Sequence, residues 1–236
     1  MKRLNLILFL LFFICSVALP QNKKILIVTG GKNVDAGTFY PLFEKFDYDT
    51  ISKPAAFDLF DRDKMSEYGV VVFYDSYQPI DETQKKSFQN IFESGIGVLF
   101  LHHSIVSHQE WDEYEKIVGG RYFHKAYEDG GKKYGASTYK HDQDFLVKII
   151  DKNHPVTKDM EDFEIHDETY LNYRVQKYVI PLLKTDYRES GEIIGWIHTY
   201  KKSKVVYFMP GHDKQAYGNK GFKTLILNSL AFLMTL

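Results

Sequence analysis

Short apolar runs alternate with amphipathic segments along most of the chain. Three of the runs are continuous and rich in β-branched or aromatic residues: residues 24–29 (KILIVT), 70–74 (VVVFY) and 98–101 (VLFL). Runs of this kind are typical of strands that are buried on both faces. The spacing of apolar residues predicts a helix over residues 39–46, and Asp81 with Gln84 forms a capping-box pair that begins a second helix.

The second half of the chain returns to the same pattern after an irregular stretch. Residues 119–162 are rich in Gly, Lys, Tyr and His, and we interpret them as an insertion with one strand near residues 145–150. Further strands are predicted at residues 179–183, 192–198 and 205–209, and an apolar helix closes the chain. Strands that alternate with helices predict an α/β fold: a doubly wound, mainly parallel sheet with helices on both faces. Residues 21–236 are expected to form this single domain.

The first twenty residues have the order of a secretory signal. Lys2 and Arg3 precede an apolar run over residues 6–15, and Ser16-Val17-Ala18 then supplies small residues for cleavage. The run is shorter than the roughly 20 residues that cross a bilayer, so no membrane span is expected after the signal is removed. Lipid attachment through Cys15 is the weaker alternative, because bulky residues precede it. We therefore predict export to the periplasm or the cell exterior.

The amino-acid composition excludes several kinds of binding partner and binding site. Thirty basic and 31 acidic residues give no field that would attract nucleic acid. Cys15 is the sole cysteine, which excludes a disulfide framework and a thiolate metal site. Aromatic residues make up 16% of the chain and suit the apolar faces of sugar rings. Composition alone identifies no ligand, and the oligomeric state is not predicted; a small carbohydrate as the partner is what the family resemblance described below implies.

Candidate chemistry follows the predicted strands. In an open parallel sheet, ligands bind at the carboxyl ends of the strands. Three strands are followed there by glycines, imidazoles or an acid: Gly30 and Gly31, His102 and His103, and His212 with Asp213. Histidine suits both acid–base catalysis and metal ligation. A cap or a buried hydrogen-bonded pair is the alternative interpretation of His102 and His103.

A fourth segment places Asp167, Glu168 and Tyr170 close together behind His166. A carboxylate beside a histidine can fix its tautomer or act as the acid–base group itself. The alternative is a solvated charge cluster. Ser104 lacks the flanking glycines of a nucleophile turn, so covalent serine catalysis is disfavoured.

Six stretches together resemble the ThuA-like family, which is named for trehalose utilisation. They are residues 25–31 (ILIVTGG), 97–104 (GVLFLHHS), 111–122 (WDEYEKIVGGRY), 154–157 (HPVT), 162–170 (DFEIHDETY) and 205–213 (VVYFMPGHD). The resemblance implies a fold like that of class I glutamine amidotransferases and a role in handling sugars, including keto-glucosides. Glutaminase chemistry is not implied, because His102 stands where that superfamily has its cysteine. Many relatives carry a His-Asp pair after the first strand, whereas this chain has Asn33-Val34-Asp35.

The leading hypothesis is an exported enzyme, a lyase, isomerase or hydrolase, that acts on a keto-sugar or its glycoside. Predicted catalytic residues are His102, His103, Glu168 and His212, and predicted substrate-binding residues are Gly30, Gly31, Asp167, Tyr170 and Asp213. No cofactor is identified. Metal-assisted catalysis is an open variant, with a divalent ion on His102, His103, Asp167 and His212. The alternative function is a non-catalytic carbohydrate-binding or accessory protein.

Overall fold

The computed structural model describes residues 23–61, 63–77 and 79–235. Within these residues, a nine-stranded sheet forms the centre of the fold. The predicted signal over residues 1–20, including Cys15, lies outside the described residues. Export therefore stays a prediction.

Strands and helices follow one another along the chain. The strands are β1 (Lys24–Gly30), β2 (Tyr48–Ser52), β3 (Tyr68–Asp75), β4 (Gly97–Leu101), β5 (Gly120–Arg121), β6 (Tyr127–Asp129), β7 (Lys132–Tyr134), β8 (Thr138–Ile149), β9 (Phe163–Leu171), β10 (Arg174–Val175), β11 (Ile180–Lys184), β12 (Ile193–Tyr200) and β13 (Ser203–Phe208). The α-helices are α1 (Ala36–Phe39), α2 (Glu82–Glu93), α3 (Asp112–Val118), α4 (Lys214–Gly218) and α5 (Lys220–Met234). Short 3-10 turns lie at Tyr40–Phe43, Ala55–Asp58, Lys64–Glu67 and His102–Val106.

The main sheet has a parallel half and an antiparallel half. Its order is β2-β1-β3-β4-β13-β12-β11-β8-β9. The first five strands pair in parallel, and the remaining pairs are antiparallel. Residues of β3 and β4 are all buried, as expected for strands covered on both sides. The predicted α/β class is confirmed. The antiparallel strands continue the sheet beyond its parallel half.

Helices cover both faces of the parallel half. Successive side chains of a strand point to opposite faces of a sheet, so the contacts of Phe73 and Tyr74 in β3 show what covers each face. The Phe73 ring contacts Phe88 of α2, with ring centres 5.1 Å apart. The Tyr74 ring contacts Phe39 of α1 at 4.9 Å and Tyr217 of α4 at 6.3 Å. The sheet is therefore sandwiched, as the sequence predicted.

Two predicted elements differ from the structure. The helix expected over residues 39–46 is a short α1 followed by a 3-10 turn at Tyr40–Phe43. Pro41 explains the difference, since proline removes an amide donor from the helical ladder. The insertion over residues 119–162 also holds more strand than expected, since it contains β5, β6 and β7 and β8 begins at Thr138. Strand β9, which follows it, carries the segment from His166 to Tyr170.

None of the helices in the described residues is long and apolar enough to cross a lipid bilayer.

Candidate active site at the carboxyl edge of the sheet

Three distant parts of the chain meet beyond the carboxyl ends of β4 and β13. The turn after β4 carries His102 and His103, and the loop after β13 carries His212. Strand β9 reaches the same place although it lies at the far end of the sheet order. Asp167 of β9 accepts hydrogen bonds from the amides of Gly211 and His212, at 2.6 and 2.9 Å. These bonds show that the β8–β9 hairpin lies against the loop after β13.

His102 is the centre of the cluster. Its backbone has a φ of 42°, in the left-handed region that non-glycine residues rarely adopt. The side chain is fully buried. Nδ1 bonds the carbonyl oxygen of Met209, and Nε2 lies 3.2 Å from Glu168 Oε1, 2.9 Å from the Tyr170 hydroxyl and 3.2 Å from His212 Nδ1. The unusual turn therefore aims one imidazole nitrogen at three polar groups.

Glu168 links this buried cluster to the surface. Its Oε2 lies 2.6 Å from Nδ1 of His141, a half-exposed residue of β8. Burial opposes ionisation of Glu168, but the side chains of His102, His212 and His141 around it outweigh burial and lower its pKa to about 2. Glu168 is consequently a carboxylate at neutral pH, suited to accept a proton or to bind a cation.

The other two histidines of the buried cluster, His103 and His212, are held as neutral imidazoles. Burial, followed by the adjacent His102, holds the pKa of His103 well below its usual range. Burial and His102 likewise lower the pKa of His212 to about 4. Neutral imidazoles present lone pairs, which serve as bases or as metal ligands.

Asp167 supports the loop that carries His212. Both of its oxygens accept backbone amide hydrogen bonds, from Glu168 as well as from Gly211 and His212. Burial raises its pKa to about 6, although His102 and the three amides favour the ionised form. Asp167 is 3% exposed, so its oxygens are committed to the protein backbone.

The four side chains that could hold a metal ion differ by one from the predicted set. His102, His103, Glu168 and His212 each offer a donor atom within 4.8 Å of the others. Glu168 thus stands where the sequence suggested Asp167. All four predicted catalytic residues are part of this cluster.

The predicted substrate-binding residues have different positions. Tyr170 contacts His102, as described above. Asp213 accepts the amide of Gln215 at 2.8 Å and so caps α4. Gly30 ends β1 and Gly31 begins the loop that follows, both with positive φ. The carbonyl oxygen of Gly30 accepts a hydrogen bond from the amide of Ser76 at 2.9 Å.

A cavity of about 80 Å³ opens beside Glu168. Its lining contains Lys32, Tyr77, Val106, Tyr122, Tyr139, His141, Glu168 and Tyr170. Lys32 and His141 are not among the residues predicted for the site. The spacing of Tyr139 and His141, two residues apart on one face of β8, is the pattern that could have indicated a shared site.

A second cavity of about 480 Å³ lies next to the first, and Tyr77 lines both. The Tyr77 ring contacts His124 at 4.8 Å, and His124 contacts Tyr122 at 5.6 Å. Tyr122 in turn contacts Tyr170 at 5.2 Å. A continuous aromatic wall therefore runs from the buried cluster to the larger cavity.

Comparison with known proteins agrees with this architecture. The structure has a TM-score of 0.73 with a ThuA-like protein from Parabacteroides merdae, at 19% identity and with 90% of each chain covered. A ThuA-like protein from Bacteroides uniformis gives 0.68 at 20% identity, covering 94% of this chain and 95% of the other. A glutamine amidotransferase from Thermotoga maritima gives 0.54 at 14% identity, covering 90% and 99%.

These likenesses define an α/β protein with a glutamine amidotransferase-like fold. The ThuA family model, described as trehalose utilisation, matches residues 24–233, and the chain belongs to that family. No curated protein is significantly similar to the sequence.

Proposed function

We propose that the protein is an exported enzyme that transfers protons on a keto-sugar or its glycoside. The observation that carries this proposal is the pair formed by Glu168 and His141, 2.6 Å apart at the wall of a cavity. Glu168 accepts the Nδ1 proton of His141, which leaves Nε2 of this half-exposed ring with a lone pair. Such a carboxylate–imidazole pair is the arrangement that general base catalysis requires.

The reaction uses the acidity of a C–H bond beside a carbonyl group. When the base takes this proton, the C–H electron pair forms a carbon–carbon double bond and the π pair of the carbonyl moves onto its oxygen, which gives an enediolate. If the glycosidic bond lies on the next carbon, the electron pair expels the glycosidic oxygen, which leaves with a proton as an alcohol. Protonation of the enediolate at the former carbonyl carbon moves the carbonyl group to the neighbouring carbon and gives isomerisation instead. Both outcomes need a base, a proton donor and a group that stabilises the oxyanion.

Tyr170 supplies a proton-bearing hydroxyl at the inner end of the cavity. Burial, and then the charge of Glu168, raise its pKa well above the usual range, so the phenol stays neutral. A neutral phenol can donate a hydrogen bond to an oxyanion, as can the ammonium group of Lys32. His102 is fully buried, and its Nε2 lies 2.9 Å from the Tyr170 hydroxyl, which positions that hydroxyl in the site.

The shape of the two cavities supports a substrate with more than one ring. The smaller cavity has room for part of a sugar, and the larger one shares Tyr77 with it as a lining residue. Tyrosine rings along the shared wall offer flat apolar faces and hydroxyl groups, both of which suit sugars. This supports a glycoside rather than a free monosaccharide as the substrate.

The test is incubation of the purified protein with a panel of glucosides and 3-keto-glucosides, with products followed by mass spectrometry and NMR. Glu168→Gln and His141→Gln should each lower turnover by about 10²–10⁴-fold, the usual contribution of a general base. His166→Gln is the control, because His166 lies on the same strand as Glu168 but bonds Asp144 at the surface. Sugar binding without turnover in the parent protein would instead favour the non-catalytic carbohydrate-binding protein.

Export rests on the signal-like residues 1–20. Expression with this segment should give a product outside the cytoplasm whose N-terminus begins after Ala18 or a few residues later. N-terminal sequencing of that product checks the proposal, and a full-length protein retained in the cytoplasm would refute it.

A further inference from the structure

The buried imidazoles present an arrangement of lone pairs that hydrogen bonds do not explain. Nδ1 of His102 bonds the carbonyl oxygen of Met209, and a carbonyl can only accept, so Nδ1 carries the proton. In a neutral imidazole the other nitrogen, Nε2, then has a lone pair. The Tyr170 hydroxyl can donate to it, but Glu168 Oε1 at 3.2 Å has only lone pairs to offer.

His103 adds a second anomaly. Both of its ring nitrogens are buried without a hydrogen-bond partner in the part of the chain that the structure describes. An unsatisfied buried polar group costs about 1–3 kcal/mol, and native proteins rarely leave one without a reason such as an ion. The His103 ring lies 4.3 Å from the ring of His102 and 5.1 Å from that of His212, measured between ring centres.

The distances from His102 Nε2 to its neighbouring donor atoms match those between ligands of a tetrahedral ion. Zinc bonds of 2.0–2.1 Å at tetrahedral angles place neighbouring ligand atoms about 3.3 Å apart. Here His102 Nε2 lies 3.2 Å from Glu168 Oε1 and 3.2 Å from His212 Nδ1, which agrees with that spacing. The second carboxylate oxygen, Glu168 Oε2, lies 3.6 Å from His212 Nδ1, so the carboxylate faces both imidazoles. A donor atom of His103 lies within 4.8 Å of the other three and would be the fourth ligand.

We infer that His102, His103, His212 and Glu168 form a binding site for one divalent transition-metal ion, with three nitrogen ligands and one carboxylate. A mixture of imidazoles and a carboxylate suits zinc, iron or manganese better than calcium. The single negative charge of Glu168 leaves the loaded site positive, which suits a sugar oxygen that gains negative charge. The inference deepens the proposed function, but the metal site itself does not depend on it.

The surroundings of the four residues have the features of a second coordination shell. The Met209 carbonyl fixes the tautomer of His102 so that Nε2 faces inward. Asp167 holds the backbone of His212 through two amide hydrogen bonds. His141 bonds Glu168 Oε2 at 2.6 Å and orients the carboxylate. In this arrangement His141 remains outside the ligand set and available as the base.

The test is calorimetric titration of Zn²⁺ into the purified, chelator-treated protein in the absence of any sugar. We expect one equivalent to bind, and Co²⁺ in its place should give the intense visible absorption of a tetrahedral site. His103→Gln and His212→Gln should each weaken binding by more than the roughly 10–100-fold that the loss of an outer-shell partner causes. His166→Gln and His198→Gln are the histidine controls and should bind as the parent does.

Circular dichroism of each metal-free variant shows whether it is folded. If a variant fails to fold, ¹⁵N NMR of the parent gives the answer directly, because bound Zn²⁺ must shift the ring nitrogens of His102, His103 and His212. Folded parent protein that binds no Zn²⁺, or that binds it without these shifts, would overturn the inference. If the spectra show that His102 is doubly protonated and paired with Glu168, and Zn²⁺ does not change this, the space between the two residues holds a proton and not a metal ion. That result would also overturn the inference.

The two proposals fail in different ways. Protein that binds Zn²⁺ in this site but converts no keto-glucoside keeps the metal site and refutes the proposed function. Protein that binds no Zn²⁺ but converts the sugar keeps the function and refutes the site.

Discussion

Lys53 forms an ion pair with Asp75 inside the core. Its ammonium group is entirely buried, 2.7 Å from Asp75 Oδ2 and 2.8 Å from His108 Nε2. Asp75 also accepts hydrogen bonds from the hydroxyls of Ser104 and Ser107, at 2.9 and 2.8 Å. The rings of Phe57, Phe73 and Phe88 surround the ammonium group at 5.2–5.5 Å, within range of cation–π attraction. The ion pair and its hydrogen bonds anchor the turn after β4 that presents His102.

Lys53→Met should lower the free energy of unfolding by about 3–5 kcal/mol, because it leaves the Asp75 carboxylate buried without its counter-ion. Lys53→Met combined with Asp75→Asn should recover a large part of this loss, since the uncompensated charge is then removed. Urea denaturation of both variants checks this. A double variant that is less stable than Lys53→Met would show that the loss comes from packing and not from charge.

Asp167 is a second residue that stabilises the protein by accepting hydrogen bonds from the backbone. Asp167→Asn replaces one amide-accepting oxygen with an NH₂ group that faces an N–H donor. We expect a loss of about 1.5–3 kcal/mol, the usual contribution of a hydrogen bond to a charged group. Asp213→Asn in the same loop is the control. Asp213 caps α4, and asparagine caps a helix as well as aspartate does, so its stability should be nearly unchanged. Equal losses in thermal denaturation would contradict the assignment.

At the scale of elements, α5 and the β8–β9 hairpin determine where Glu168 lies. Asn219 begins α5 by accepting the Phe222 amide at 3.1 Å, and its side chain also donates to the carbonyl oxygen of Glu164 in β9 at 2.8 Å. Gly221 in the first turn of α5 packs on the Phe163 ring of β9, where an added methyl group would lie within 2.7 Å of three ring atoms. The helix therefore sits directly against the strand that carries the carboxylate.

Gly221→Ala should destabilise the protein although alanine is the better helix former. The added methyl group must push α5 away from Phe163, and overpacking of this kind costs about 1–3 kcal/mol. Gly218→Ala is the matched control, because a methyl group there meets no atom within 4 Å. Gly218→Ala should be neutral or stabilising by up to about 1 kcal/mol. Chemical denaturation of the two variants compares them, and the same sign for both changes would refute the packing argument.

At the scale of the whole molecule, the sequence predicts the parallel half of the sheet and much of the site, and the reasons are physical. Strands β1, β3, β4 and β13 are apolar on both faces, a pattern that local composition records directly. The residues that follow β4 and β13 then lie at one edge by the geometry of parallel sheets. The sequence could not predict that β8 and β9 cross over this edge, because antiparallel strands of mixed polarity have no strong local pattern. His141 and the choice of Glu168 over Asp167 in the metal set depend on that crossing, and so does the cavity.

Histidines across the whole fold should make stability depend on pH. Five of them have pKa values below the unfolded value, mainly because burial disfavours their charged form: His103, His124, His154, His198 and His212. The unfolded chain protonates these residues near pH 6.5, whereas the folded protein does so only at lower pH. Two groups oppose them: the pKa of His166 is raised by its hydrogen bond to Asp144, and that of Asp167 is raised to about 6 by burial.

Between pH 7 and pH 5, the unfolded state therefore binds more protons than the folded state, and stability rises with pH wherever that is so. We expect the free energy of unfolding of chelator-treated protein to fall steadily as the pH is lowered through this range. Urea denaturation at several pH values measures it. His198→Gln should flatten the dependence by at most one proton, because it removes one buried histidine that lies outside the metal cluster. The prediction is wrong if the free energy of unfolding stays constant or increases from pH 7 to pH 5. In that case the folded protein takes up protons as readily as the unfolded chain, and burial does not hold these imidazoles neutral.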